Sequence, residues 1–229
     1  MTGFLASIKN EQEANMISPA DVDIIDLKNV NDDGLGFVGI NVFEKCHKVL
    51  PDSIISVTMG NDVNPNNHET IKNLKFLIER EVDYVKIGLF DRKIFNEHKK
   101  LLKNVNFKKT IPICVIFADH DFNMYEIEDI VNSDYQGIMI DTFFKESKST
   151  LELINTDQIE KFITTVTDYG KISGISGSLK INDIDSVINY NPSFLGFRGQ
   201  LCDPQSSRKI IDPRLVSKVS RAMRSSGCA

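Results

Sequence analysis

The sequence predicts a single-domain α/β protein, a (β/α)8 (TIM) barrel, and three observations carry that prediction. Short apolar, β-branched runs alternate with longer amphipathic stretches along all 229 residues, the pattern of a parallel sheet with helices packed outside it. Eight such units fit in the chain, which favours closure into a barrel over an open, doubly wound sheet. No strand is followed by GxGxxG, the mark of the open dinucleotide-binding alternative.

The strands are expected at Phe4–Ile8, Asp23–Lys28, Ile54–Met59, Tyr84–Gly88, Ile111–Ala118, Gly137–Asp141, Ile172–Ser176 and Phe194–Arg198. Helices fill the gaps, at Glu11–Ile17, Val42–Leu50, His68–Arg80, Arg92–Lys103, Tyr125–Val131, Thr156–Asp168, Ile181–Asn189 and Pro213–Met223. Asn155-Thr156-Asp157 supplies N-cap residues before the apolar face Ile159, Phe162, Ile163 and Val166. Asp212-Pro213 opens the last helix, with proline where its missing N–H costs little. Nothing reads as a linker, so residues 1–229 form one domain, with 225–229 a small, polar, frayed tail.

Composition narrows the function classes. A formal charge of -5 and a pI near 5.4 argue against nucleic-acid or anionic-membrane partners, which require a basic face. Met1–Ile8 lacks a basic n-region and a cleavage pattern, and no apolar run approaches the roughly 18 residues of a membrane span. A cytoplasmic protein is expected. Cys46, Cys114, Cys202 and Cys228 form no CxxC, and no His/carboxylate spacing demands a metal. Cys114 reads as core packing; His47, His68 and His98 read as solvated helix residues, and His120 as a candidate mouth residue.

Four strands break their apolar pattern near the C-terminal end, where barrels of this kind carry catalytic groups. In Asp23-Ile24-Ile25-Asp26-Leu27-Lys28, period-two alternation puts Asp26 and Lys28 on one face, the inward one if Ile25 and Leu27 pack on helices. Asp26 is then the natural counter-charge of Lys28. A structural ion pair at the rim explains strand two as well as catalysis does. Strand four adds Lys86, also inward between Val85 and Ile87. Two inward lysines each raise the cost of protonating the other, which is how an amine becomes a nucleophile or base near neutrality. Strand six ends in Asp141, able to hold a lysine charged or move a proton, with Lys145 just beyond.

Strands seven and eight carry anion-binding character. Ser176, Gly177 and Ser178 form a small-residue turn expected to open a helix, and Arg198 closes strand eight beside Gly199. Loops seven and eight are a common phosphate site in this fold.

Taken in order, Leu5-Ala6-Ser7-Ile8, Asp23-Ile24-Ile25-Asp26-Leu27-Lys28-Asn29, Gly34-Leu35-Gly36, Val85-Lys86, Asp141-Thr142, Gly177-Ser178-Leu179 and Leu195-Gly196-Phe197-Arg198-Gly199 resemble the (5-formylfuran-3-yl)methyl phosphate synthase family of methanofuran biosynthesis. The resemblance runs from Phe4 to about Met223. It implies a lyase that condenses two glyceraldehyde 3-phosphate molecules with loss of phosphate and water. It also implies that Lys28 forms the Schiff base and Lys86 accepts a proton, with Asp26, Asp141 and Lys145 as further charged site residues. No cofactor is implied, because the lysine is the electron sink, and a homo-oligomer is compatible. After strand five the chain departs from the family, with Asp119-His120-Asp121 where the family has a further lysine.

Three alternatives stand beside that reading. Decarboxylases of the orotidine-phosphate superfamily carry DxKxxD on strand two, but here the last position is Asn31. A simple class I aldolase shares the mechanism. A non-catalytic sugar-phosphate-binding barrel would use the lysines only as anion ligands.

Overall fold

The computed structural model describes residues 1–18, 20–120, 123–144, 148–206 and 208–226. Eight parallel strands close into a barrel in chain order: β1 (Gly3–Ile8), β2 (Ile24–Leu27), β3 (Ile55–Thr58), β4 (Tyr84–Gly88), β5 (Ile111–Phe117), β6 (Gly137–Asp141), β7 (Ile172–Ile175) and β8 (Phe194–Phe197). β8 closes the ring on β1, from Gly3↔Phe194 to Ala6↔Phe197. The helices among the described residues are α1 (Glu11–Ala14), α2 (Ile40–Val49), α3 (His68–Glu79), α4 (Phe95–Asn104), α5 (Met124–Val131), α6 (Thr150–Leu153), α7 (Thr156–Asp168), α8 (Ile184–Val187) and α9 (Pro213–Ser226).

The pleat sorts side chains into two cores. Outward residues such as Phe4, Ala6 and Ile8 of β1, Ile25 and Leu27 of β2, and Val85 and Ile87 of β4 pack against the helices. Inward residues Leu5, Ile24, Ile113, Val115, Phe117, Met139 and Phe194 fill the barrel itself. Period-two alternation has the same phase on every strand. The polar inward positions Ser7, Asp26, Ser56 and Lys86 are therefore buried by construction.

Local signals explain the helix ends. α7 starts at the predicted place, with Asn155 and Gln158 closing a capping box. α4 is preceded by a 3-10 turn, Arg92–Ile94, capped by the Asp91 side chain. α6 is too short, at four residues, to leave a periodic signal in the sequence.

Three expectations change. The helix expected over Ile181–Asn189 is a 3-10 turn, the short α8 and a second 3-10 turn, ended by left-handed Asn191. α9 continues through Ser225 and Ser226 instead of fraying, and Ser226 Oγ donates to Asp185 at 2.6 Å. His98 is fully buried, not solvated, because it lies on the inner face of α4 with Phe95, Leu101 and Leu102. Its Nδ1 is 2.7 Å from the Tyr135 hydroxyl, and burial lowers its pKa to about 4. Lys145 lies outside the described residues.

Candidate active site

Asp26, Lys28, Lys86 and Asp141 come together at the C-terminal mouth of the barrel, all buried. Their pairing differs from the sequence expectation. Lys28 Nζ meets Asp141 Oδ2 at 3.3 Å, while Asp26 Oδ1 meets Lys86 Nζ at 2.5 Å. Asp26 is thus not the counter-charge of Lys28. Two residues along a strand separate them by roughly 6.6 Å, so Lys28 stands at the rim and Asp26 one layer deeper. Strand register sets Ser7 and Ser56 level with Asp26. Their hydroxyls donate to its carboxylate at 2.8 and 2.9 Å. Lys86 is level with Thr58, two residues above Ser56, and its stem reaches back down to Asp26.

Lys28 follows the last residue of β2, yet its N–H still donates to Ile8 O at 2.9 Å, continuing the ladder and holding the side chain inward. Asp141 is fixed from its own turn, with Thr142 N donating to Oδ1 at 2.8 Å. Burial pushes the Lys86 ammonium down from the usual lysine value; Asp26 opposes that shift and the Lys28 charge adds to it. Repulsion between the lysines acts in the expected direction, but desolvation is the larger cause. A buried amine biased toward its neutral form, beside a second lysine at the rim, can exchange protons with a bound carbonyl compound.

The turn after β7 also differs in cause from its prediction. It leads into a 3-10 turn, not a helix N-terminus, so no helix dipole aims at it. Gly177 and Ser178 both have positive φ, 93° and 55°. A side chain at 177 would place Cβ 2.3 Å from Thr150 Oγ1 and 2.7 Å from Thr142 N, which explains the glycine. Thr150 fastens the turn, its hydroxyl donating to Ser176 O at 2.5 Å and its N–H to Gly177 O at 3.0 Å.

Arg198 lies where strand eight predicts, inward and buried. Its guanidinium turns to α1, meeting Glu13 in a bidentate pair at 2.6 and 2.9 Å. The remaining N–H groups go to Ser7 O at 3.2 Å and to Arg208 O at 3.1 and 2.8 Å. Arg208 lines one pocket with Lys28, Asp141, Ser176, Gly177, Ser178 and Gly199. Burial pushes its pKa down, and the charges of Asp141 and Asp33 oppose that. Sequence reasoning passed over Ser7, Ser56, Glu13 and Arg208. The alternation that found Asp26 also marks Ser7 and Ser56, whereas nothing local marks Glu13 or Arg208.

On the opposite side of the mouth, Phe90, Phe117 and Phe143 form an aromatic wall against which His120 packs. Asp119 accepts the backbone N–H groups of Phe143 and Phe144, each at 2.8 Å, and so shapes the loop after β6. Among the described residues no three His, Cys, Asp or Glu side chains gather as a metal site, and no helix is long and apolar enough to cross a membrane.

Comparison with known proteins gives a consistent picture. The family model described as 4-HFC-P synthase matches residues 4–220. A (5-formylfuran-3-yl)methyl phosphate synthase of Methanosarcina mazei is 27% identical over 228 residues, covering 94% of this chain and 97% of its own. The enzyme of that name from Methanothermobacter thermautotrophicus is 24% identical over 210 residues, covering 87% and 89%. Among solved structures, 3-keto-L-gulonate-6-phosphate decarboxylase from Vibrio cholerae superposes with a TM-score of 0.66 at 14% identity, covering 99% of this chain and 97% of that one. Phosphoribosyl anthranilate isomerase from Thermus thermophilus does so with 0.67 at 9% identity, covering 98% and 99%. At such identities these two structures speak for the barrel alone.

Proposed function

The chain belongs to the 4-HFC-P synthase family, and on that premise we propose that it makes (5-formylfuran-3-yl)methyl phosphate for methanofuran biosynthesis from two molecules of glyceraldehyde 3-phosphate. The observation that carries the chemistry is the pair of inward lysines on separate carboxylates, Lys28 on Asp141 and Lys86 on Asp26.

In this reading the Lys28 amine adds to the aldehyde of one triose phosphate, and loss of water leaves an iminium. The iminium acidifies the adjacent C–H. Lys86, biased toward its neutral form, takes that proton. The electron pair released from the C–H bond forms an enamine, which expels the C3 phosphate as its C–O bond breaks. The second triose phosphate shifts its carbonyl from C1 to C2 by proton transfer, and C3 of the first bonds to that C2 carbonyl carbon. The C1 hydroxyl of the second closes the ring on C2 of the first, and loss of two waters gives the furan. Water returns to release the product from Lys28. The sum is two triose phosphates in, and one furan phosphate, one phosphate and two waters out. Asp141 holds Lys28 in place and can relay protons at the rim; Lys145 is assigned to the same charged set by family resemblance. Ser176, Gly177, Ser178, Gly199 and Arg198 are proposed to build the phosphate-binding side, Arg198 through what it holds.

Incubation with glyceraldehyde 3-phosphate and borohydride, followed by peptide mapping, tests this. A reduced adduct on Lys28 with furan product and released phosphate is expected. No adduct and no furan would sink the synthase reading. An adduct with retro-aldol products and no furan would replace it with a simple aldolase.

A further inference from the structure

We propose that Arg208, in the loop between β8 and α9, receives a phosphoryl group of the substrate against the Gly177–Ser178 turn, and that the buried Glu13–Arg198 pair is a positioning device that holds Arg208 there. This deepens the function proposed above and rests on it in one respect, that the aldehyde bound at Lys28 is phosphorylated.

The first step is an inventory of donors. A guanidinium has five N–H groups, and Arg198 makes five contacts: two to Glu13, one to Ser7 O and two to Arg208 O. Glu13 is itself held in place, because its Oε2 also accepts Lys9 N at 2.9 Å. A phosphate reaching Arg198 would have to break one of these buried bonds. The strand-end arginine is therefore a fastening.

What it fastens is the backbone of Arg208. That residue is not glycine but has φ 68°, a left-handed conformation that ordinary residues occupy only when their surroundings impose it. Two N–H groups of Arg198 grip its carbonyl from one side. Lys9 Nζ donates to the next carbonyl, that of Lys209. The base of the loop is closed by the Cys202–Ile211 bridge and by Asp203 N donating to Ile210 O at 3.0 Å. Held in this way, the Arg208 side chain lies over Gly199, where a Cβ would be only 3.8 Å from its Nε. It lines the pocket that also contains Lys28 and Ser178.

The facing turn offers a matching group. Ser178 Oγ is buried and has no hydrogen-bond partner among the described residues. A buried hydroxyl without a partner is costly, and a phosphoryl oxygen would satisfy it. A planar guanidinium donates two parallel bonds to the same kind of group. Lys28 and Arg208 thus bracket a molecule with a carbonyl at one end and a phosphate at the other.

The test uses the full chain. Inorganic phosphate is titrated calorimetrically into the wild type, Arg208→Ala, Glu13→Gln and the double variant. Arg208→Ala is expected to weaken phosphate binding about tenfold to hundredfold. Glu13→Gln should reproduce part of that loss, and the double variant should bind no more weakly than Arg208→Ala alone. Should Glu13→Gln not fold, Arg198→Lys, which keeps the charge but lacks the planar fork, carries the same cycle. In parallel, borohydride trapping compares glyceraldehyde 3-phosphate with unphosphorylated glyceraldehyde. Arg208→Ala should lower trapping of the first at low concentration and leave the second unchanged. Phosphate binding unaffected by Arg208→Ala, or undetectable in the wild type, overturns the ligand role, and additive losses in the double variant overturn the positioning role. Arg208-dependent phosphate binding without any trapping in the wild type would instead sink the Schiff-base reading and leave this one standing.

Discussion

Arg198 and Lys28 occupy matching places, each just past the end of a strand that flanks β1, each inward and buried, yet they are provided for very differently. Every N–H of Arg198 has an acceptor. Lys28 has three N–H donors when charged and, among the described residues, one oxygen, Asp141 Oδ2, at 3.3 Å. A saturated buried charge has nothing left to give a ligand and serves the fold. An under-coordinated one keeps its capacity for chemistry, and the protein carries that as a local cost. Lys86 lies between the two, with a single close carboxylate that is itself held by two hydroxyls.

The largest effect expected from this contrast is on turnover. Lys28→Ala should lower it by roughly 10³-fold or more, as loss of a covalent nucleophile does, while shifting the urea midpoint less than Glu13→Ala. A Lys28→Ala variant retaining a tenth of the activity would erase the contrast. Glu13→Ala is the mirror image. Stripped of its carboxylate, Arg198 becomes an uncompensated buried charge, and about 3–5 kcal/mol of stability should be lost in denaturant titration. A loss under about 1 kcal/mol would mean that the remaining carbonyls suffice for Arg198.

His98 extends the comparison to a buried group that keeps no charge. Its folded pKa of about 4 lies below the usual 6.5. Between those values the unfolded chain takes up a proton that the folded chain refuses. Stability from this source is complete above pH 6.5 and falls as pH drops toward 4, by about 3 kcal/mol in total. His98→Phe should flatten that slope in urea melts run across the window; an unchanged slope would assign the acid sensitivity elsewhere.

The smallest effect belongs to Lys86→Met, which should cut turnover about a hundredfold. In the wild type kcat/KM should rise with pH through a limb below the ordinary lysine value, since burial lowers the Lys86 pKa. The variant should lack that limb. Its persistence would give the proton transfer to another group.

Much of this was legible beforehand because a strand exposes its logic in the chain. With period two, the apolar neighbours Ile25, Leu27, Val85 and Ile87 force Asp26, Lys28 and Lys86 inward, whatever the rest of the molecule does. Ser7 and Ser56 obey the same rule, but an inward hydroxyl can be satisfied by a strand carbonyl and so signals a buried partner less strongly than a charge does. The partner of each charge was not legible. Asp26 looks adjacent to Lys28 in sequence, but the strand rise separates their layers, and register hands Asp26 to Lys86 instead.

The helix expected after β7 failed for a related reason. The small residues Gly177 and Ser178 predict a helix-opening turn, whereas their positive φ and the grip of Thr150 shape the turn ahead of a 3-10 turn. Arg198, closing strand eight, is expected to face the mouth as a phosphate ligand. It does line the pocket, and Glu13, 185 positions away, takes two of its N–H groups.

The sequence by itself therefore determined the barrel, the inward lysines and the mouth they share, since these follow from local periodicity and from the cost of burying charge. Tertiary structure alone decided which carboxylate holds which lysine, that Glu13 engages the Arg198 guanidinium, and that Arg208 joins Arg198 in lining the pocket. Direction along a strand is written in neighbouring residues. Distances between strands, and from a loop to a strand end, depend on how the sheet is staggered as it closes, and no short stretch of chain contains that stagger.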